Sequence, residues 1–145
     1  MFDWRKENMC HCTLKAILIS NKIPKKETIY KWISKSQKIF KEQKKFKIKI
    51  VGTSIFPHIF YANVHSSELI QLHKKLCKIL PSNQPEFENK KYTPHVSIAT
   101  ITRKSKIKTK KGQEFGEFEV KQIQLMSWNL KNLRKPIIHQ RFFLS

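Results

Sequence analysis

Twice in this chain a histidine stands two residues ahead of a hydroxyl side chain at the head of an apolar, β-prone run. His11-Cys12-Thr13 leads into Leu14-Lys15-Ala16-Ile17-Leu18-Ile19, and His95-Val96-Ser97 leads into Ile98-Ala99-Thr100-Ile101. Residues i and i+2 of a strand point to the same face. Each triplet therefore predicts a strand that presents one imidazole beside one hydroxyl, and two such strands build a symmetrical pocket. A third match, His65-Ser66-Ser67, precedes a helical pattern instead, so one triplet alone carries little weight. The pair carries more, because the two lie 84 positions apart and each continues into its own apolar segment.

The remaining pattern predicts two helices among several strands. The first strand is expected from Cys12 to Ile19. Pro24 and Lys25 then open a helix with Ile29, Trp32, Ile33, Ser36, Ile39 and Phe40 on one face. Phe46 to Ile50 alternates as a half-buried strand, Pro57 interrupts, and Ile59 to Val64 forms the next strand. Ser66 or Ser67 caps a second helix that carries Leu69, Leu72, Leu76 and Leu80 and is closed by Pro81. A polar loop runs to Lys91, the second triplet's strand covers His95 to Ile101, and Arg103 to Lys111 is a basic loop or hairpin. Strands at Phe118 to Trp128 and Ile137 to Leu144 finish the chain, with a β-bulge expected where the alternation slips between Val120 and Ile123. Strands broken by two helices, with antiparallel partners, indicate an α+β fold in a single domain over residues 1–145.

Thirty Lys and Arg against ten Asp and Glu give a formal charge of +20. Such a field draws polyanions, and the competing explanation is a lysine-rich surface produced by biased base composition. Three cysteines, two of them one residue apart, do not make a disulfide framework and fit a reducing cytoplasm. No apolar run reaches the roughly 18 residues of a membrane span, and Met1-Phe2-Asp3-Trp4 does not begin a signal peptide, so a cytoplasmic protein without a membrane partner is expected.

The segments Glu7-Asn8-Met9-Cys10-His11-Cys12-Thr13-Leu14 and Tyr92-Thr93-Pro94-His95-Val96-Ser97-Ile98-Ala99 resemble the two motifs of the 2H phosphoesterase superfamily. That superfamily includes 2′-5′ RNA ligases, cyclic phosphodiesterases and viral 2′,5′-phosphodiesterases. The strands and helix between the motifs, and the closing Arg141-Phe142-Phe143-Leu144, follow its usual order. The resemblance implies a bilobal fold in which antiparallel sheets form a central groove with two helices packed outside. Members usually carry a strand and a helix before the first motif, whereas ten residues precede His11 here. The chain is accordingly expected to be trimmed or excised from a longer polypeptide such as a viral polyprotein, which would place it in the host cytoplasm. Phe2 and Trp4 are expected to help cover the edge left by the missing strand.

The resemblance assigns catalysis to His11, Thr13, His95 and Ser97, with no cofactor and no metal. Histidine takes both protonation states near pH 7, so one ring can accept a proton from the attacking hydroxyl or water while the other protonates the leaving oxygen. Thr13 and Ser97 would donate to the phosphate oxygens. The expected partner is RNA or an oligonucleotide, with 2′,5′-linked oligoadenylate favoured over 2′,3′-cyclic phosphate ends or reversible 2′-5′ ligation, in a monomer acting as an antagonist of innate immunity if viral. Tyr92, Phe56 and His58 are candidates to stack a base, with simple packing the alternative, and Arg103 and Lys104 begin a run placed near the pocket mouth. A metal site at Cys10-His11-Cys12 is the rival to acid–base chemistry, but strand neighbours alternate faces and no second cysteine pair completes a tetrahedron. His73 and His139 receive no role, and Cys77 is expected to pack on its helix. A non-catalytic RNA-binding module and a basic protein of ribosomal type remain the rival classes.

Overall fold

A computed structural model describes residues 2–103, 106–129 and 132–145. The strands are β1 (Phe2–Trp4), β2 (Phe46–Phe56), β3 (Ile59–His65), β4 (His95–Ile101), β5 (Glu114–Val120), β6 (Gln122–Asn129) and β7 (Asn132–Phe143); the helices are α1 (Lys26–Phe40) and α2 (Ser67–Ile79). An antiparallel five-stranded sheet has the order β1-β4-β3-β2-β5, and β6 and β7 form a second, two-stranded sheet. The α+β architecture with two helices is as the sequence predicts.

α2 forms where Ser66, in extended conformation, accepts a hydrogen bond from the Leu69 amide at 3.2 Å. Its buried face carries Leu69, Leu72, His73 and Leu76 at helical spacing. These leucines join Leu80, Phe40 of α1, Phe46 of β2, Val64 of β3 and Phe142 and Leu144 near the C-terminus in one core. Burying a leucine as completely as Leu72, 1 % exposed, contributes roughly 2–3 kcal/mol. Phe40 and Phe142, with ring centroids 4.9 Å apart, tie α1 to β7.

Three expectations are corrected. The slip between Val120 and Ile123 is a change of sheet: β5 ends on β2 with Val120 opposite Phe46, and β6 begins on β7 with Gln122 opposite Phe143. The polar loop from Pro81 to Lys91 contains two single-turn 3₁₀ segments, Pro85–Phe87 and Asn89–Lys91. The strand expected from Cys12 to Ile19 does not form beyond one antiparallel bridge between Cys12 and Val96. Continuing that pairing would set Leu14 against Pro94, whose carbonyl faces β3 and accepts from Val64 at 3.1 Å. Past the bridge, the Thr13 and Leu14 carbonyls accept from the Tyr92 hydroxyl and His73 Nδ1 instead of from a strand neighbour. On the other side, β1 pairs with β4 from Phe2 opposite Ile101 to Trp4 opposite Ala99, so the N-terminal residues do cover the β4 edge.

Candidate active site

The bridge between Cys12 and Val96 places the two triplets side by side and antiparallel, and that sets their geometry. His11 lies across from Ser97, and Thr13 lies across from His95. Directly opposed residues share a face. Cys12 and Val96 both pack against the core, so the four triplet residues point away from it. The two histidines are therefore diagonal neighbours across the bridge, a relation that in paired strands typically sets side chains about 7 Å apart. A local two-fold axis between Cys12 and Val96 relates one imidazole–hydroxyl pair to the other.

Each ring is held in the same way. His11 Nδ1 donates to the Met9 carbonyl at 3.0 Å, and His95 Nδ1 donates to the Thr93 carbonyl at 2.8 Å. A carbonyl oxygen only accepts, so each neutral ring carries its proton on Nδ1 and leaves Nε2 bare. Among the described residues neither Nε2 meets a protein partner. The rings are also fixed from their flanks: His11 stacks on Trp128 with centroids 5.0 Å apart, and His95 meets the edges of Phe56 and Tyr61, each at 5.1 Å. Tyr61 stands opposite Ser97 in the β3–β4 ladder. Two imidazoles and two hydroxyls on one face are groups of the kind that move protons and donate to phosphate oxygens.

With its ladder cut short, the segment after His11 is held by side chains. The Tyr92 hydroxyl donates to the Thr13 carbonyl at 2.9 Å, and His73 Nδ1 donates to the Leu14 carbonyl at 2.8 Å. The Lys15 ammonium donates to the Ala16 and Pro81 carbonyls, each at 3.3 Å, and pairs with the Glu88 carboxylate. Asn83 pairs with both backbone groups of Ile19. His73, far from being a surface residue, is 1 % exposed. Its Nε2 accepts from the Asn89 amide at 2.9 Å, and its ring stacks on Tyr92 at 3.9 Å. The Cys77 thiol donates to Glu88 and lies 3.3 Å from His73 Nε2, so Cys77 does more than pack on its helix. His139 also has a partner, the Ser127 hydroxyl at 2.8 Å.

Burial pushes the Cys12 and Cys77 thiols up to about 11, against smaller opposing hydrogen bonds such as that from the His95 amide to Cys12. Burial likewise raises the Tyr92 hydroxyl and lowers His73 below the ordinary histidine value. Burial alone would raise Glu88, but hydrogen bonds from Cys77, Lys15 and Ser82 leave it below the usual carboxylate range. The donor atoms of His73, Cys77 and Glu88 lie within 4.8 Å of one another, a spacing that could hold a metal. Lys15 already supplies the cation beside Glu88, and both His73 nitrogens are engaged with backbone groups. The cluster is complete as a hydrogen-bonded network. Cys10 and Cys12, for their part, diverge: Cys10 is exposed and Cys12 faces the core, so no soft-ligand pair flanks His11.

The other candidates divide. Phe56 lies against His95. Tyr92 has one ring face stacked on His73 and its hydroxyl engaged at Thr13. His58 and Arg103 line a separate hollow of about 260 Å³ at the β2–β3 turn, whose lining includes none of the triplet residues. Lys104 lies outside the described residues. A larger concavity of about 790 Å³ borders His11 and Cys12, is floored by Ile50, Val96 and Ile98, and has Lys108 and Lys110 on its wall. The sequence pattern leaves Trp128 and Tyr61 without a role, yet both support the rings. Alternation along β3 and β4 points to Tyr61, whereas no local pattern marks Trp128, 117 positions from His11.

The model of the family described as the 2′-5′ RNA ligase superfamily matches residues 4–132. The chain belongs to that superfamily. Both triplets fall within the matched stretch, and the resemblance to 2H phosphoesterases seen in the sequence is thereby shown. Escherichia coli LigT complexed with 3′-AMP is 15 % identical, with a TM-score of 0.75 over 99 % of this chain and 82 % of LigT. TT0787 of Thermus thermophilus is 14 % identical, with a TM-score of 0.70 over 99 % of this chain and 82 % of its own. At such identities the likeness establishes the fold. No curated protein matches the chain significantly. Membership in the superfamily supports a phosphodiesterase or ligase activity. No helix among the described residues is long and apolar enough to cross a membrane.

Proposed function

We propose that this superfamily member is an RNA phosphodiesterase in which His11 and His95 form a metal-independent acid–base pair, with 2′,5′-linked oligoadenylate as substrate. The observation that carries the reading is the matched pair of imidazoles, each with Nδ1 on a backbone carbonyl and Nε2 without a protein partner among the described residues. In the proposed step one histidine takes the proton of the ribose 3′-hydroxyl beside the 2′,5′ bond. The 3′ oxygen bonds to phosphorus, the bond from phosphorus to the 5′ oxygen breaks, and the second histidine protonates that oxygen. The products are a 2′,3′-cyclic phosphate and a free 5′-hydroxyl. Thr13 and Ser97 donate to the non-bridging oxygens as charge builds there. An adenylate substrate is supported by the solved complexes of LigT, which contain 3′-AMP, ATP and NADP+.

The test is incubation, with chelator present, of the protein with 2′,5′- and 3′,5′-linked oligoadenylate and with a 2′,3′-cyclic nucleotide. The 2′,5′ isomer is expected to be cleaved, and the activity to vanish in His11→Ala and His95→Ala. Turnover of the cyclic nucleotide alone would move the assignment to ring opening. Turnover of none of the three would leave a basic RNA-binding module.

A further inference from the structure

We propose that Tyr92 and His73 are positioning residues that aim the first triplet, doing the work of a β-ladder that this segment does not form beyond one bridge. The inference rests on His11, Thr13, His95 and Ser97 being the catalytic set. The carbonyls of Thr13 and Leu14 follow the one bridge that holds this segment to β4. Without Tyr92 and His73 as donors, the carbonyls between the bridge and the Lys15 anchor would have no partner. Tyr92 and His73 take those two carbonyls, at 2.9 and 2.8 Å, and stack on each other at 3.9 Å, so they act as one unit.

That unit is itself anchored. His73 projects from the buried face of α2, and its second nitrogen accepts from the Asn89 amide, which fixes the ring's orientation and its tautomer. Asn89 adopts a φ of +52°, a left-handed conformation that asparagine tolerates better than most residues. Tyr92 stands three residues before His95, whose Nδ1 is held by the Thr93 carbonyl between them. The Tyr92 hydroxyl therefore clips the backbone of the first triplet to the approach of the second. The distance between the two imidazoles is set by this clip as well as by the Cys12–Val96 bridge. Tyr92, a candidate to stack a base, becomes a brace in this account.

Four variants test it by steady-state kinetics on the 2′,5′ oligoadenylate, by thermal melting, and by the nuclear Overhauser signals between the His11 and Trp128 rings. Tyr92→Phe keeps the ring stack and removes the donor. His73→Asn keeps a donor near Nδ1 for Leu14, His73→Gln keeps an acceptor near Nε2 for Asn89, and His73→Leu keeps neither. Expected are a fall in kcat of about 10- to 100-fold in Tyr92→Phe, His73→Gln and His73→Leu with KM little changed, together with weakened His11–Trp128 signals. His73→Asn, which keeps the donor to Leu14 and loses the stack and the Asn89 contact, is expected to restore part of the kcat and of the ring signals. A rise in KM at constant kcat in Tyr92→Phe would make Tyr92 a substrate contact and overturn the proposal. Equal losses in all three His73 variants, tracking their melting temperatures, would reduce His73 to a core residue and also overturn it. Should the wild-type protein turn over nothing, the catalytic reading fails, and the ring signals alone decide the positioning role. Signals unchanged in Tyr92→Phe and His73→Leu overturn it, and signals that vanish in both and return in His73→Asn uphold it.

Discussion

At the scale of single residues, the two histidines share the way their rings are anchored. Both rest on a carbonyl two residues upstream, and both are flanked by aromatic rings. Such symmetry predicts interchangeable roles, so His11→Ala and His95→Ala should each lower kcat by about 10²–10⁴. The double variant should be little worse than the weaker single one, since one proton carrier without the other leaves the transfer incomplete. Steady-state rates of the three variants check this. The cysteines separate by environment. Cys10 is exposed, whereas the Cys12 and Cys77 thiols are pushed up to about 11. Brief alkylation at about pH 8 followed by mass mapping should label Cys10 alone, with Cys12 and Cys77 labelled only after denaturation.

Among the elements, α2 and β2 carry the sharpest consequences. α2 brings the buried His73, whose pKa is depressed in the folded state chiefly by burial. The unfolded chain binds that proton first as pH falls, so stability is complete above the ordinary histidine value near 6.5 and declines as pH drops through the depressed one. Melting temperatures between about pH 7.5 and 5.5 should therefore fall more steeply in the wild-type protein than in His73→Asn. In β2, the ladder to β3 shifts register between Ile50 and Thr53, and Gly52 there has a φ of +74°. A methyl group at that position would lie 2.8 Å from the Lys110 carbonyl oxygen, which already accepts from the Thr53 amide. Gly52→Ala should cost about 1–3 kcal/mol by chemical denaturation and loosen the loop that holds Lys108 and Lys110 beside the large concavity.

At the scale of the whole molecule, the charge of +20 acts on every polyanion at once. Few ion pairs offset it among the described residues, and two of these, Lys47–Glu117 and Lys121–Glu119, lie on the surface, where such pairs contribute little. KM for an oligoadenylate should rise steeply between about 50 and 200 mM salt while kcat stays nearly constant, because screening weakens encounter and not proton transfer. A cyclic mononucleotide, with one charge, should show much less of this dependence.

The sequence by itself marked the two histidine–hydroxyl triplets, the two helices and the order of most strands, because those follow from residue pattern, from periodicity of two and of 3.6 residues and from capping chemistry. Ser66 beginning α2 and His95 beginning β4 needed no partner to be recognised. What depended on distant partners was not legible in it. That Leu14 to Ile19 is held by His73, Lys15 and Asn83 and not by a strand partner, and whether the slip after Val120 is a bulge or a change of sheet, are decided by what the fold brings alongside. His73 looked idle because a histidine's role depends on the groups brought to its two nitrogens, here from Leu14 and Asn89. Local chemistry wrote the triplets into the chain, and only tertiary packing decided what holds the first of them in place, since a carbonyl left without a ladder takes whichever donor the fold delivers.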